Sequence, residues 1–306
     1  MFKKKKFIFT IFIINFSLFS NSTNIKNMIN YTINFLYSPT QNNVTEKPFI
    51  TIYIHGTLPP LANQLFNGFF YAKQGLHAAK SYEKKYRVYK IAKTLSAADS
   101  KNYNIESTYI FGWSGKLDYT ERKNAAIQLY QEIKKLLLKT KINKPNIRII
   151  THSHGGNVAL NLATINNDQL FVVQDLILLC CPVQKETSHL IENKMFTNIY
   201  SFFSNLDLIQ ILDPQGLNEI KKQWENNKKL NFTDVSLFSK RQFNSQKKTV
   251  QSHVKINGRS ILHSEFIRTK FIKNVPEIID TIKRWKIEQK IFNLPSINYF
   301  EFNIKD

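Results

Sequence analysis

The chain has 306 residues, of which 42% are hydrophobic and 13% are aromatic, so it can bury the core of one large domain or of two small ones. This composition excludes disorder except near the ends. The formal net charge is +21, but only seven of the 43 basic residues are arginine. Because phosphate and base recognition favours arginine, we expect no specific nucleic-acid partner, whereas attraction to an anionic membrane surface stays open.

The first 22 residues have the organisation of a secretory signal peptide. Lys3–Lys6 precede an apolar run, Phe7–Phe19, and small polar residues follow it. This run has 13 residues, whereas a bilayer span needs about 20. We therefore expect residues 1–22 to direct export to a secreted or periplasmic location, with an uncleaved membrane anchor as the alternative. Residues 23–46 form a polar leader.

Residues 47–306 are predicted to form one domain. Buried strands are indicated at 48–54, 107–111, 146–150, 175–179 and 197–203, and two alternating runs that could pair as a hairpin lie at 235–238 and 249–256. Helical patterns occupy 120–139, 157–163 and 275–292. Strands that alternate with helices predict an α/β fold, with a mostly parallel central sheet and helices on both faces.

Residues 58–104 allow two interpretations. The stretch is predicted to be helical but irregular, and its aromatic part, residues 65–71, lies between the first two predicted strands. A lid would turn this apolar face towards lipid or an acyl chain. The alternative is a helix packed on the domain.

Ser153 lies in the most informative segment, Thr151-His152-Ser153-His154-Gly155-Gly156, between a predicted strand and a predicted helix. A serine crowded by small residues at such a turn is typical of a nucleophile elbow. We expect glycine at 155 and 156 because a side chain there would collide with the neighbouring strand and helix. Thr151 departs from the pattern G-x-S-x-G, in which the first position is glycine.

A serine nucleophile needs a base, an acid that orients the base, and donors for the oxyanion. In an open α/β sheet these groups lie at the carboxyl ends of strands. Asp207 follows the predicted strand 197–203, and His263 follows the last strand-like run. The order Ser153, Asp207, His263 is that of nucleophile, acid and base in α/β-hydrolases.

Two backbone N–H groups are candidates for the oxyanion hole. One belongs to His154, which directly follows the predicted nucleophile. The other belongs to Thr57, in the turn His55-Gly56-Thr57 that ends the first predicted strand. Gly56 lets the backbone turn towards a substrate without an intervening side chain.

Three other residues compete for the roles of base and acid. His189 precedes Asp207 in the chain, which is the wrong order for the base. His253 lies within an alternating strand, where we expect a half-exposed structural histidine. Asp213 precedes Pro214 and is explained as a turn residue.

Four further residues are expected to be structural. Cys180 and Cys181 are adjacent at the end of a strand, so their side chains point to opposite faces and we expect two buried, unpaired thiols. Trp113 is expected in the core, where it could line an acyl pocket. Arg122 is expected on a helix surface.

The two histidines that flank the nucleophile, His152 and His154, are interpreted as packing or rim residues. No carboxylate cluster accompanies them, so no metal site is predicted.

These motifs resemble the α/β-hydrolase superfamily, in particular its lipase-like and esterase-like members. The elbow, the turn His55-Gly56 and the run Phe111–Gly115, with Arg122 and Ala125-Ala126 downstream, carry the resemblance, which spans residues 48–290. Some members related to GPI inositol-deacylases have a small residue where this chain has Thr151.

The resemblance implies an α/β-hydrolase fold and a serine hydrolase that cleaves carboxylic esters or lipids through an acyl-enzyme, without metal or organic cofactor. Acyl transfer, or cleavage of a thioester or amide, could use the same triad. A third alternative is a catalytically silent hydrolase fold that binds anionic membranes through its lysines.

Overall fold

A computed structural model of the protein describes residues 49–57, 72–140, 145–165, 170–212, 224, 238–244, 248–292 and 298–305. The predicted export signal, the polar leader, the aromatic stretch 65–71, Asp213 and residues 235–237 lie outside the described residues. In the part of the chain that is described, no helix is long and apolar enough to cross a membrane.

The strands of the described residues form one nine-stranded sheet. They are β1 (Phe49–Ile54), β2 (Gly75–Ala78), β3 (Thr108–Gly112), β4 (Asn146–His152), β5 (Val173–Leu179), β6 (Phe196–Phe203), β7 (Thr249–Ile256), β8 (Arg259–Ser260) and β9 (Tyr299–Ile304). The spatial order is β2-β3-β1-β4-β5-β6-β7-β8, and β9 also pairs with β7. Only β2 and β8 pair antiparallel to their neighbours. The mostly parallel sheet is therefore confirmed.

Helices cover both faces of this sheet. They are α1 (Arg87–Ala98), α2 (Tyr119–Thr140), α3 (Gly155–Asn161), α4 (Lys185–Ser188), α5 (Thr269–Ile272) and α6 (Val275–Ile291). Buried side chains of α1, α5 and α6 belong to one hydrophobic core, and those of α2 and α3 belong to a second. Successive strand residues alternate between the two: Ile150 lies in the first core and Ile149 in the second. The chain therefore has the predicted α/β fold, with a mostly parallel central sheet between two helical layers.

Three elements differ from the expectation. Part of the stretch predicted to be irregular helix forms β2, an antiparallel edge strand, before α1 packs its apolar face on the sheet. Within the described residues, β7 makes its hairpin with the short strand β8, across a turn at Asn257 and Gly258. The C-terminal strand β9 was not predicted. Strands β2 and β9 form through pairing with distant residues, which local periodicity does not register, whereas the β7–β8 hairpin is local.

The cysteine prediction is confirmed. Cys180 and Cys181 are free and buried, and they lie in opposite cores, Cys180 in the first and Cys181 in the second. Cys180 has a φ of 48°, so the chain turns sharply as it leaves β5.

The prediction for Arg122 was wrong. Its side chain is fully buried on α2, and its guanidinium donates to Gln184 Oε1 at 3.1 Å. The helical spacing offered the signal, because position 122 lies on the same face as Ala125, Ala126 and Leu129. Burial of an arginine is possible where its guanidinium is hydrogen-bonded, so the position of residue 122 on the apolar face of the helix predicts its burial better than its charge does.

Candidate active site

Ser153 occupies a strained turn between β4 and α3. Its φ of 52° lies in the left-handed region, which a side chain rarely adopts. The Ser153 N–H donates to Leu179 O at 2.9 Å, and Gly156 N–H donates to Ser153 O at 2.9 Å. These two bonds hold the turn between the end of β5 and the first turn of α3, which is the local geometry of a nucleophile elbow.

Gly155 and Gly156 are required by close approach, as predicted, and the obstacles lie at the ends of two neighbouring strands, β1 and β5, and just after them. A Cβ on Gly155 would lie 2.5 Å from His55 O. A Cβ on Gly156 would overlap the Cys181 thiol and lie 2.8 Å from its Cβ. Both distances are below any normal contact.

Thr151 is explained by its place in the strand. It pairs with Ile54 of β1 and Leu178 of β5 in the regular ladder, so its backbone does not take part in the turn. The side chain is fully buried, and its hydroxyl donates to Ile177 O at 3.4 Å. A small side chain with a satisfied hydroxyl fits where the motif has glycine.

His263 and Asp207 form a hydrogen-bonded pair. His263 Nδ1 lies 2.8 Å from Asp207 Oδ2, with the carboxylate fully buried and the imidazole side chain 10% exposed. Gln210 N–H donates to Asp207 Oδ1 at 3.0 Å, so both carboxylate oxygens have a partner. The Arg241 guanidinium donates to Asp207 O at 3.1 Å. The acid thus fixes the imidazole with Nε2 directed away from it.

The main chain of His263 lies against residues on either side of the elbow. His152 Nε2 is 3.3 Å from His263 O, and the two imidazole centroids are 4.8 Å apart. The Cys180 thiol donates to the same carbonyl at 3.8 Å. Within the described residues the Ser153 hydroxyl makes no hydrogen bond to His263.

Burial shapes the titration of the groups around the elbow. Burial, with the charge of His263 as a smaller effect, holds the pKa of His152 well below 6.5. Burial also raises the pKa of the Cys180 thiol well above 9, helped by the nearby Asp207 carboxylate. At neutral pH both groups are therefore uncharged.

The competing histidines are placed elsewhere. His253 is buried on β7, with Nδ1 3.1 Å from Glu301 Oε2 and Nε2 3.1 Å from Ser260 Oγ. The expectation of a half-exposed residue was wrong, because β9 covers this part of β7. Burial lowers the pKa of His253, and the hydrogen bond to Glu301 offsets this effect only in part. His189 lies exposed in a short 3₁₀ turn.

The His55-Gly56-Thr57 turn is held against the elbow. A Cβ on Gly56 would lie 2.7 Å from Ser153 Cβ, so only glycine permits this approach. His55 Nδ1 donates to Gly56 O at 2.7 Å, while His55 Nε2 accepts from Trp113 N–H at 3.1 Å. The Thr57 hydroxyl is buried without a hydrogen-bond partner among the described residues.

Trp113 has a role that the sequence did not indicate. Its indole N–H donates to His55 O at 2.8 Å, and its ring stacks on the imidazole at 5.9 Å. Together the main-chain and side-chain donors of Trp113 fix both the tautomer and the position of His55. Burial lowers the pKa of His55 to about 4, so the ring stays neutral in this network at neutral pH.

His154, the second candidate for the oxyanion hole, is buried at the start of α3. Its Nδ1 lies 3.4 Å from Asn157 Nδ2. Asn157 also donates to Pro182 O at 3.0 Å and accepts from Thr187 Oγ1 at 2.5 Å. These contacts anchor the first turn of α3, from which the His154 main chain leads back to Ser153.

One group of side chains in the described residues could hold a metal ion. His152, Cys180 and His263 each offer one donor atom, and these atoms lie within 4.8 Å of one another. The sequence prediction considered only the histidines that flank Ser153. No local sequence pattern links these histidines to Cys180 and His263, which are distant in the chain.

Comparisons with known proteins give likeness in structure only. No family model matches the chain, and no curated protein matches its sequence. Solved structures that it resembles include ESTFA in an iron-lacking apo form (12% identity, TM-score 0.33, 85% of this chain and 66% of that one). An arylesterase is 11% identical with a TM-score of 0.30, and the match covers 85% of this chain and 67% of that one. The serine hydrolase CCSP0084 from Cycloclasticus zankles is 14% identical with a TM-score of 0.27, and the match covers 85% of this chain and 83% of that one. The chain thus spans about two thirds of the length of the first two structures, ESTFA and the arylesterase.

Proposed function

We propose that the protein is a serine hydrolase that cleaves carboxylic esters. The observation that carries this proposal is the 2.8 Å hydrogen bond between His263 Nδ1 and Asp207 Oδ2, beside the strained Ser153 turn. The three residues follow the chain order of nucleophile, acid and base. An exported location and lipid substrates remain part of the proposal, on the sequence pattern alone.

In the proposed mechanism, Ser153 Oγ attacks the carbonyl carbon of the ester while His263 Nε2 takes the hydroxyl proton. Asp207 keeps the imidazole oriented and stabilises the imidazolium that forms. The tetrahedral oxyanion accepts hydrogen bonds from the main-chain N–H groups of Thr57 and His154. His263 then protonates the leaving alcohol, which leaves an acyl group on Ser153.

Water completes the proposed cycle. His263, neutral again, removes a proton from a water molecule that attacks the acyl-enzyme, and the collapse of the second intermediate returns the proton to Ser153. The balance is one ester and one water consumed, with one acid and one alcohol released. An alcohol or amine in place of water would give acyl transfer instead.

The test is labelling with a fluorophosphonate probe together with hydrolysis of short-chain and long-chain p-nitrophenyl esters. We expect Ser153→Ala to abolish labelling and to lower kcat by about 10⁴-fold or more. Ser100→Ala, on an exposed serine, is the matched control and should behave as wild type. Equal labelling and turnover in the wild type and Ser153→Ala would refute the proposal.

Product analysis with added alcohol or amine separates hydrolysis from acyl transfer. We expect free acid as the main product at any acceptor concentration. If the acyl group appears mainly on the acceptor, the enzyme is an acyltransferase that uses the same residues.

A further inference from the structure

His152, Cys180 and His263 come from three separate segments but converge beside the elbow. His152 ends β4, Cys180 follows β5, and His263 follows β8. Their donor atoms lie within 4.8 Å of one another. Imidazole and thiolate are the ligands that Zn²⁺ prefers, and no carboxylate of the group favours Mg²⁺ or Ca²⁺ instead.

Hydrogen bonds already orient the two imidazoles. His263 Nδ1 is occupied by the Asp207 carboxylate at 2.8 Å, so Nε2 carries the free lone pair. An imidazole whose second nitrogen binds a carboxylate is the usual arrangement of a metal-ligating histidine. His152 Nε2 lies 3.3 Å from His263 O, which likewise restrains its ring.

The spacing suits a small cation after a limited adjustment. Ligand atoms around a tetrahedral zinc ion lie about 3.3 to 3.6 Å apart. The three donor atoms now lie up to 4.8 Å apart, so metal binding requires side-chain movement of about an ångström. Cys180 is held in place by its N–H bond to Phe202 O at 2.8 Å, and its thiol already lies 3.8 Å from His263 O.

We propose that His152, Cys180 and His263 form a binding site for Zn²⁺ or a similar soft divalent cation, and that occupation of this site inhibits the enzyme reversibly. The inhibition rests on the proposed function, in which His263 is the base. Binding releases the Cys180 thiol proton and engages the lone pair of His263 Nε2, so that Ser153 has no base. The fourth metal position remains for water.

Metal binding is tested first without reference to activity. Co²⁺ added to the full-length, dialysed protein should give a thiolate-to-cobalt charge-transfer band with a stoichiometry of one ion. Cys180→Ser should lose this band, while Cys181→Ser, which changes the thiol in the opposite core, should keep it. A band that is absent from the wild type, or that is retained in Cys180→Ser, would overturn the proposal.

Inhibition is tested next, with Zn²⁺ alone as the probe and each variant compared with its own metal-free rate. We expect Zn²⁺ to inhibit ester hydrolysis by the wild type and a chelator to restore it. The half-inhibiting concentration should rise about tenfold or more in Cys180→Ser and in His152→Gln. Equal inhibition of Cys180→Ser and Cys181→Ser would contradict the proposal.

Two controls keep the outcomes separate. If Cys180→Ser does not fold, Cys180→Ala removes the same ligand with less change in polarity, and thermal unfolding verifies both. If the protein has no esterase activity at all, the proposed function fails, whereas the cobalt band still reports whether the metal site exists.

Discussion

Two aspartates are completely buried at opposite ends of this sheet, and their partners differ. Asp175 lies in the amino-terminal half of β5, where Arg148 donates to Oδ2 through Nε at 3.3 Å and through a terminal nitrogen at 3.0 Å. Lys283 adds a third bond at 2.9 Å. Asp207 follows β6 at the carboxyl edge, and His263 is the only side chain among the described residues that bonds to its carboxylate.

The comparison of the two aspartates shows why one buried carboxylate stabilises the fold while the other is suited to a chemical step. A guanidinium has hydrogen-bond donors only, so the ion pair of Asp175 and Arg148 serves the fold. An imidazole also has a ring nitrogen that can accept a proton from a neighbouring hydroxyl, so the pair of Asp207 and His263 is suited to proton transfer. The same acid type thus has different consequences because of its partner.

The largest expected effect comes from Asp207→Asn. The amide no longer stabilises the imidazolium and favours the wrong tautomer of His263, so kcat should fall about 10⁴-fold. The free energy of unfolding, measured in urea, should change far less than the barrier. Asp280→Asn, at an exposed ion pair with Arg284, is the control. An Asp207→Asn enzyme with nearly full activity would show that this pair is structural as well.

Asp175→Asn should break the fold instead of the chemistry. It leaves the buried Arg148 guanidinium without its counter-ion, which costs about 3–5 kcal/mol of unfolding free energy. The activity of each folded molecule should stay close to that of the wild type. Urea denaturation and active-site titration measure the two quantities separately. A large loss of kcat at unchanged stability would reverse the assignment of the two aspartates.

His55 offers the next contrast, since it is a buried histidine with no acid partner among the described residues. Burial lowers its pKa to about 4, whereas the unfolded chain has the ordinary value near 6.5. Between these values the unfolded state binds the proton and the folded state does not. Stability contributed by neutral His55 is therefore complete above pH 6.5 and falls as the pH drops towards 4, by about 3 kcal/mol.

This pH dependence is measured by urea unfolding at several pH values. The variant His55→Gln has no titrating ring, so the difference between wild type and variant should shrink as the pH falls from 6.5 to 4. A constant difference across this range would show that His55 does not titrate as expected.

The smallest expected effect is that of Trp113→Phe. The substitution removes the indole N–H bond to His55 O but keeps an aromatic ring in the core, so stability should fall by about 1 kcal/mol. Because His55 is the first residue of the proposed oxyanion turn, kcat should fall more than KM rises. Unchanged kinetics would mean that the turn is held by Gly56 packing and not by Trp113.

Much of the fold was predictable because its signals are local. The central strands β1, β3, β4, β5 and β6 are apolar runs, and α2 and α6 carry helical periodicity. Ser153 was indicated by a turn pattern within six consecutive residues. Edge strands such as β2 and β9 were not found, since their stability comes from pairing with a distant neighbour.

The candidate site likewise has features that local sequence patterns indicate and features that depend on contacts between distant residues. The sequence by itself determined the elbow, its two glycines and the order of the candidate acid and base, because each follows from strand ends and chain order. Only the tertiary structure decided that Asp207 faces His263 while His253 binds Glu301, that Trp113 holds His55, and that Cys180 joins two histidines. Those contacts join residues far apart in the chain, and their distances depend on how the strands pack and not on any local pattern.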